Sequence, residues 1–383
     1  MRFEFFGGFL PGYPRGAVLR KGLGRIGAEV VECRFGAGLK SWARHPLLLL
    51  DAFRRGLLRP EGAAAGRCLF VPEFCAKDVP PARLLASLTA RPLIFDPLAA
   101  RYETKVIDWG WGRPDSPGAW WNFQIDRASF ALADLVLADT TAHKRYYCET
   151  YGLSPAKVEV VPLGYDDDVF RPPAETELLS RALRPGNGFQ VLFFGSFLPL
   201  HGVEIIVEAA RLVWLRDRSI RFRLIGEGRT SAATRAAAAD LANIDFSGRV
   251  PMTELARAAA AADVCLGIFG RTAKTRRVVP HKIFQAMGLA RPVVTLRTPA
   301  VEEFFAHDKN IVLCDKPDPE ALARAVLELA RDPGRRERIA RAGFSLVRRE
   351  FTPEAVARRL AGFAADHFGP AFALSPPAPG GGR

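Results

Sequence analysis

Lys282 and Gln285 stand three residues apart within residues 278–295, where Ile283, Phe284, Met287 and Leu289 recur at helical spacing. Pro280 suits the first turn of that helix; Gly288 and Pro292 close it before Val293-Val294, a short buried strand. A helix start with free amides, His281 and a lysine is suited to an anion such as a phosphate. An ordinary αβ unit with a surface lysine fits the same pattern. Lys274, Arg276 and Arg277 add cations upstream. Among the acids, Asp96 follows a strand over 93–95, with Glu103 and Asp108 in the same loop; Asp96-Pro97 is equally a turn starter.

The elements that must position these groups alternate. In the first half, strands are expected over 2–6, 29–34, 68–71, 93–95 and 158–161 and a helix over 17–26, with mixed signals over 126–151. Residues 171–188, rich in Pro and Gly at both ends, read as an interdomain connection. Beyond it, strands over 190–194, 221–225, 244–246, 263–268 and 311–313 alternate with helices over 202–215, 231–241 and 253–261; helices over 319–331, 334–350 and 353–368 follow. The alternation predicts an α/β protein with parallel sheets and right-handed crossovers. Two such halves predict two Rossmann-like domains facing a central cleft, 1–172 and 186–350, with a disordered tail over 369–383.

At 383 residues the chain exceeds what one core usually covers, and 49% hydrophobic with 25% charged residues is a soluble composition. No apolar run reaches the roughly 18 residues of a membrane span. The first residues carry an acid and no long apolar core, which argues against a secretory signal. Six dispersed cysteines without a C-x-x-C pair fit reduced thiols in a cytoplasmic protein. The net charge of +13 is concentrated in residues 15–59, with ten Lys/Arg against three acids. There Leu39, Trp42, Pro46, Leu49, Leu50, Phe53 and Leu57 share a helical face, as in a segment resting peripherally on an anionic membrane or an ordinary core-facing helix. No helix-turn-helix, zinc finger or aromatic RNA-binding signature is present, so nucleic acid is not an expected partner.

Four stretches resemble glycosyltransferase family 4, retaining nucleotide-sugar enzymes of the GT-B fold. They are residues 133–140 with 158–165 and 170–172; 191–196 with His201-Gly202-Val203-Glu204 and 208–210; 224–228 with 246–250; and the 278–295 segment. These stretches lie within residues 133–295, and the resemblance is taken to cover about residues 1–365. The resemblance implies a C-terminal domain holding a nucleotide-diphosphate sugar and an N-terminal domain holding a glycan or lipid-linked acceptor, with helix 353–368 returning to the N-terminal domain. It also implies that Gly7 and Gly8 approach the diphosphate, and that Gly195, Ser196, His201 and Gly202 border it. Glu227, Arg249 and Val250 would face the base or ribose.

The sequence departs from the family pattern where the phosphate grip belongs. Ser196 and His201 stand where the family commonly has Arg and Lys, and its paired glutamates fall on Arg277 and Gln285. The expectation is that Lys274, Arg276, Arg277 and Lys282 supply the lost charge, while Asp96 stands where the family often places a functional His or Asp facing the sugar. Catalysis would be electrostatic, at the charge developing on the leaving diphosphate. Asp166-Asp167-Asp168 resembles the metal-holding triplet of other transferases, but is expected to cap a turn, with no bound metal or cofactor. Trp109, Trp111, Trp120 and Trp121 suit an acceptor sugar or lipid, or equally packing beneath their own loop. Two alternatives remain: a catalytically degenerate binder of nucleotide sugar or glycan, and a nucleotide-sugar epimerase.

Overall fold

The computed structural model describes residues 1–36, 38–57, 66–172 and 188–374. Six parallel strands form the first sheet: β1 (Arg2–Gly7), β2 (Glu29–Arg34), β3 (Arg67–Val71), β4 (Leu93–Phe95), β5 (Leu135–Ala138) and β6 (Val158–Val160), in the order β2-β1-β3-β4-β5-β6. The second repeats the plan with β7 (Phe189–Phe194), β8 (Ile220–Ile225), β9 (Ile244–Ser247), β10 (Val264–Leu266), β11 (Val293–Leu296) and β12 (Val312–Cys314), ordered β12-β11-β10-β7-β8-β9. In each sheet the strand order reverses beside the first strand, at β1 and at β7. The loops leaving those strands therefore open at the switch points where α/β sheets bind ligands. The central strands carry nearly unbroken apolar runs, Phe3, Phe5 and Phe6 on β1 and Val191 to Phe194 on β7, because both faces are covered.

Helices α1 (Pro14–Arg25), α2 (Ser41–Arg54), α3 (Val79–Thr89), α4 (Pro117–Leu132) and α5 (Thr141–Tyr151) accompany the first sheet. The mixed signals over 126–151 resolve into the end of α4, then β5, then α5, whose start is capped by the Thr140 side chain accepting from the His143 amide. Helices α6 (Val203–Arg216), α7 (Ser231–Ala237), α8 (Met252–Ala261), α9 (His281–Gly288), α10 (Pro299–Glu302), α11 (Pro319–Arg331) and α12 (Pro333–Glu350) accompany the second. Helix α13 (Pro353–Phe368) crosses back and packs on α1, so closely that a Cβ at Gly22 would stand 1.9 Å from the Pro353 carbonyl oxygen.

The chain does not leave the fold at Gly369. Pro370–Phe372 form one tight turn, and Phe372 is buried edge-on against Phe3, with ring centres 6.5 Å apart. The remaining tail, 375–383, and most of the connection expected over 171–188 lie outside the described residues. Among the described residues no helix is long and apolar enough to cross a membrane.

The described residues of 15–59 include most of α1 and all of β2 and α2. On α2, Leu48 and Ala52 point inward, but Trp42, Leu50 and Phe53 are left outside, Trp42 with 75% of its surface exposed. The apolar face expected to be single is therefore split between core and solvent.

Candidate functional site

Strand β7 ends at Gly195 with φ +135°, and β8 ends at Gly226 with φ +133°. The two turns touch: a Cβ at Gly226 would lie 2.0 Å from the Gly195 carbonyl oxygen. A Cβ at Gly195 would lie 2.9 Å from Lys282 Nζ, so glycine here leaves room for that amine. Lys282 sits in the first turn of α9, whose start is set by Pro280, extended and one place earlier than expected. Its Nζ is buried and has no hydrogen-bond partner among the described residues. It faces the Phe193 ring, and burial pushes its pKa well below the ordinary lysine value.

Around this amine lies a cavity of about 430 Å³ between the two sheets. Of the expected site residues, Gly195, Ser196, His201, Lys274, His281, Lys282 and Gln285 line it. His201 Nδ1–H donates to the Ser196 carbonyl, and burial with the nearby Lys282 holds its pKa well below the ordinary value, so the ring is neutral. Gly202, with φ +61°, closes that turn against the backbone of Phe269 and Gly270. Burial likewise lowers His281 to about 4; its Nδ1 meets the Gly164 carbonyl at 3.2 Å and its Nε2 has no partner among the described residues. Lys274 reaches across to the first unit, donating to Thr104 Oγ1 at 2.7 Å.

Other expected residues do not join the cavity lining. Asp96 is buried inside the first unit, where Arg15 Nε binds its Oδ2 at 2.7 Å; it does not face the cleft. The Gly8 amide donates to Asp78 Oδ2 at 2.8 Å, with Arg44 against Gly8 and Asp78 against Gly7, so a carboxylate of the fold already occupies that glycine turn. Arg277 is committed to Glu103, Nη1 to Oε1 2.7 Å, and stacks 4.0 Å above the Tyr146 ring, while Arg276 is exposed. The four-cation grip therefore reduces to Lys274 and Lys282 at the cavity. Glu227, Arg249 and Val250 occupy the loops after β8 and β9, outside the lining. The Asp166–Asp168 carboxylates are close enough to share an ion, but Lys21 and Arg25 already pair with them.

Sequence reasoning missed Asp139, at the carboxyl end of β5, which lines the cavity. His143 sits between two carboxylates: Nδ1 to Asp139 Oδ1 2.6 Å, Nε2 to Glu103 Oε2 3.0 Å. Burial opposes its charge, but Glu103 and Asp139 outweigh it and hold the imidazole at about 9. Burial would raise Glu103, yet His143, Lys274 and Arg277 hold it at about 2. Missed too was an apolar wall of Tyr13, Phe74 and Leu98 from the first unit, facing Leu198, Met252 and Leu255 from the second. Phe74 (φ +61°) and Leu98 (φ +56°) hold left-handed backbones that bulky residues rarely adopt. Trp109 also lines the cavity; Trp111, Trp120 and Trp121 are about half exposed, and Arg229 lies over the rings of Trp109 and Trp111.

Residues 188–332 match the model of the family described as "Glycosyl transferases group 1". D-inositol 3-phosphate glycosyltransferase of Acidothermus cellulolyticus is 29% identical over 229 residues, covering 55% of this chain and 48% of that protein. Its counterpart from Thermomonospora curvata is 28% identical over 235 residues, covering 55% and 52%. The chain thus spans about half the length of these curated relatives. In fold it is similar to Anabaena HepE crystallised with UDP-glucose (TM-score 0.68, 16% identity, 96% of this chain and 100% of that one). It is similar also to sucrose-phosphate synthase from Thermosynechococcus elongatus (TM-score 0.72, 15% identity, 96% and 99%). The two-sheet GT-B architecture and the family resemblance expected from sequence are borne out.

Proposed function

We propose that this chain, whose residues 188–332 match the model of the glycosyl transferases group 1 family, transfers a sugar, with retention, from a nucleotide-diphosphate donor to a glycan or lipid-linked acceptor. The observation that carries the reading is the unpartnered, buried Lys282 amine at the start of α9, facing the cavity between the sheets. A buried amine without an acceptor costs stability, and a diphosphate entering there would supply the missing oxygens and restore its charge. Lys274 and the α9 amides add to the same field. With side-chain cations in this role the reaction needs no metal, and the leaving diphosphate is stabilised where its charge develops.

The apolar wall of Tyr13, Phe74 and Leu98 supports an acceptor carrying an apolar portion. The exposed Trp42, Leu50 and Phe53 on α2, beside exposed Lys40, Arg54 and Arg55, support peripheral contact with an anionic membrane. Six unpaired cysteines fit its cytoplasmic face.

Calorimetry with UDP, GDP and their common sugars, followed by NMR of the product anomer, tests the assignment. Heat with at least one nucleotide and an anomer matching the donor's are expected. Binding without turnover on membrane extract would favour the non-catalytic alternative, to which the missing Arg and Lys at Ser196 and His201 point. No heat with any nucleotide would remove the transferase reading.

A further inference from the structure

Asp139, His143, Glu103 and Arg277 form one continuous chain of alternating charge, from the cavity, through the interior of the first unit, to the second. Its links measure 2.6, 3.0 and 2.7 Å. His143 and Glu103 are fully buried. Geometry fixes the protonation: each imidazole nitrogen faces a carboxylate oxygen, and a neutral ring donates from only one nitrogen. The ring is therefore an imidazolium, and the four charges sum to zero. Thr140, next to Asp139, ties the same two units by donating to the Arg277 carbonyl. Asp139 is the one member of the chain among the residues lining the cavity.

We propose that Asp139 is the acceptor-side carboxylate of the site, accepting a hydrogen bond from a hydroxyl of a sugar or polyol acceptor, and that His143, Glu103 and Arg277 are positioning residues acting through it. The imidazolium draws charge from Asp139, which suits it to hold and aim a hydroxyl rather than to remove its proton. Because Arg277 belongs to the α9 side of the cleft, the carboxylate is held in place only while the two units are together. Acceptor recognition is then coupled to their apposition without a direct contact from Arg277. The proposal rests on the transfer reading above and deepens it.

The test uses the full chain with UDP and octyl glucoside as probes. UDP affinity is read by calorimetry, and glycoside affinity with UDP bound by saturation-transfer NMR. Asp139→Asn should weaken the glycoside roughly ten-fold or more, the worth of one hydrogen bond to a charged group, and leave UDP affinity unchanged. Arg277→Met, at the far end of the chain, should weaken the glycoside in the same direction with UDP again unchanged. It also reads the proposal should Asp139→Asn fail to fold, as judged by circular dichroism. Unchanged glycoside affinity in either folded variant overturns the proposal, as does no glycoside signal from the wild type with UDP bound. Failure of the wild type to bind UDP would instead strike the donor reading.

Discussion

Lys282 Nζ stands 3.8 Å from the centre of the Phe193 ring, two residues before the glycine that leaves it space. The ring face packs against the amine but offers it no lone pair to replace its lost hydration. No oxygen among the described residues completes the shell. A side chain held this way costs stability in the free protein and binds strongly once an anion arrives.

Two substitutions follow from that arrangement. Lys282→Met should weaken UDP by roughly ten- to hundred-fold, the worth of a charge-assisted contact. The same change should raise the melting temperature of the ligand-free protein. Gly195→Ala should lower melting temperature and UDP affinity together, because its Cβ would stand 2.9 Å from Nζ on a backbone with φ +135°. Calorimetry and thermal scans on both variants check this, and unaltered UDP affinity in Lys282→Met would take Lys282 out of the site.

His143 sets a pH dependence. Its folded pKa of about 9 lies above the ordinary 6.5. Its stabilisation is therefore complete below about 6.5 and is lost as pH rises through about 9, up to about 3 kcal/mol in all. Replacing His143 with Gln should destabilise the protein strongly at pH 6 and progressively less toward pH 10. Denaturant titrations across that range read the gap, and a constant gap would contradict the imidazolium.

Glu73 behaves in the opposite sense to a paired carboxylate. It is buried without a hydrogen-bond partner for either oxygen among the described residues. Burial, then the nearby Asp96, raises it from 4.5 to about 7. Whatever stability the protonated carboxyl preserves is present below about 4.5 and lost as pH climbs through 7, on the order of 3 kcal/mol. Glu73→Gln should therefore melt higher than wild type at pH 8 and nearly with it at pH 4. Equal melting temperatures at pH 8 would show that Glu73 finds a partner in solution.

The outward side of α2 offers a direct check on membrane contact. A Trp42→Ser, Phe53→Ser double variant should lose co-sedimentation with vesicles containing phosphatidylserine while keeping UDP affinity, since neither residue lines the cavity. Undiminished sedimentation would assign the binding elsewhere.

Much of the frame was legible because it is local. The β2, β4 and α13 ranges read from hydrophobic spacing coincide with the observed ones, and the glycines closing β7 and β8 mark the turns where those strands meet. What escaped depends on pairs distant in sequence. Asp96 looked like a cleft acid because Arg15, its partner, lies 81 residues away. Arg277 looked like a phosphate ligand because Glu103, 174 residues away, could not be seen neutralising it. Gly7 and Gly8 carry the pattern of a phosphate loop, but Asp78, which turns that amide inward, sits 70 residues on. Asp139 had a local signal, an acid ending a strand, that nothing in the sequence ranked above its neighbours.

Helix α13 begins so near α1 that only hydrogen fits at Gly22, and Gly164 is pressed between Phe351, Val18 and Val356. The first sheet therefore borrows part of its wall from α13, which follows the second sheet in sequence. A recombinant fragment stopping at residue 172 would bare the Val18–Leu19 flank to water and clump, and residues 188–350 alone would lack Tyr165, Phe170 and Phe351, which share a buried core with α9. Anyone dissecting this molecule should express the first half with α13 appended, and should expect a frameshift near residue 352 to disable the half encoded first.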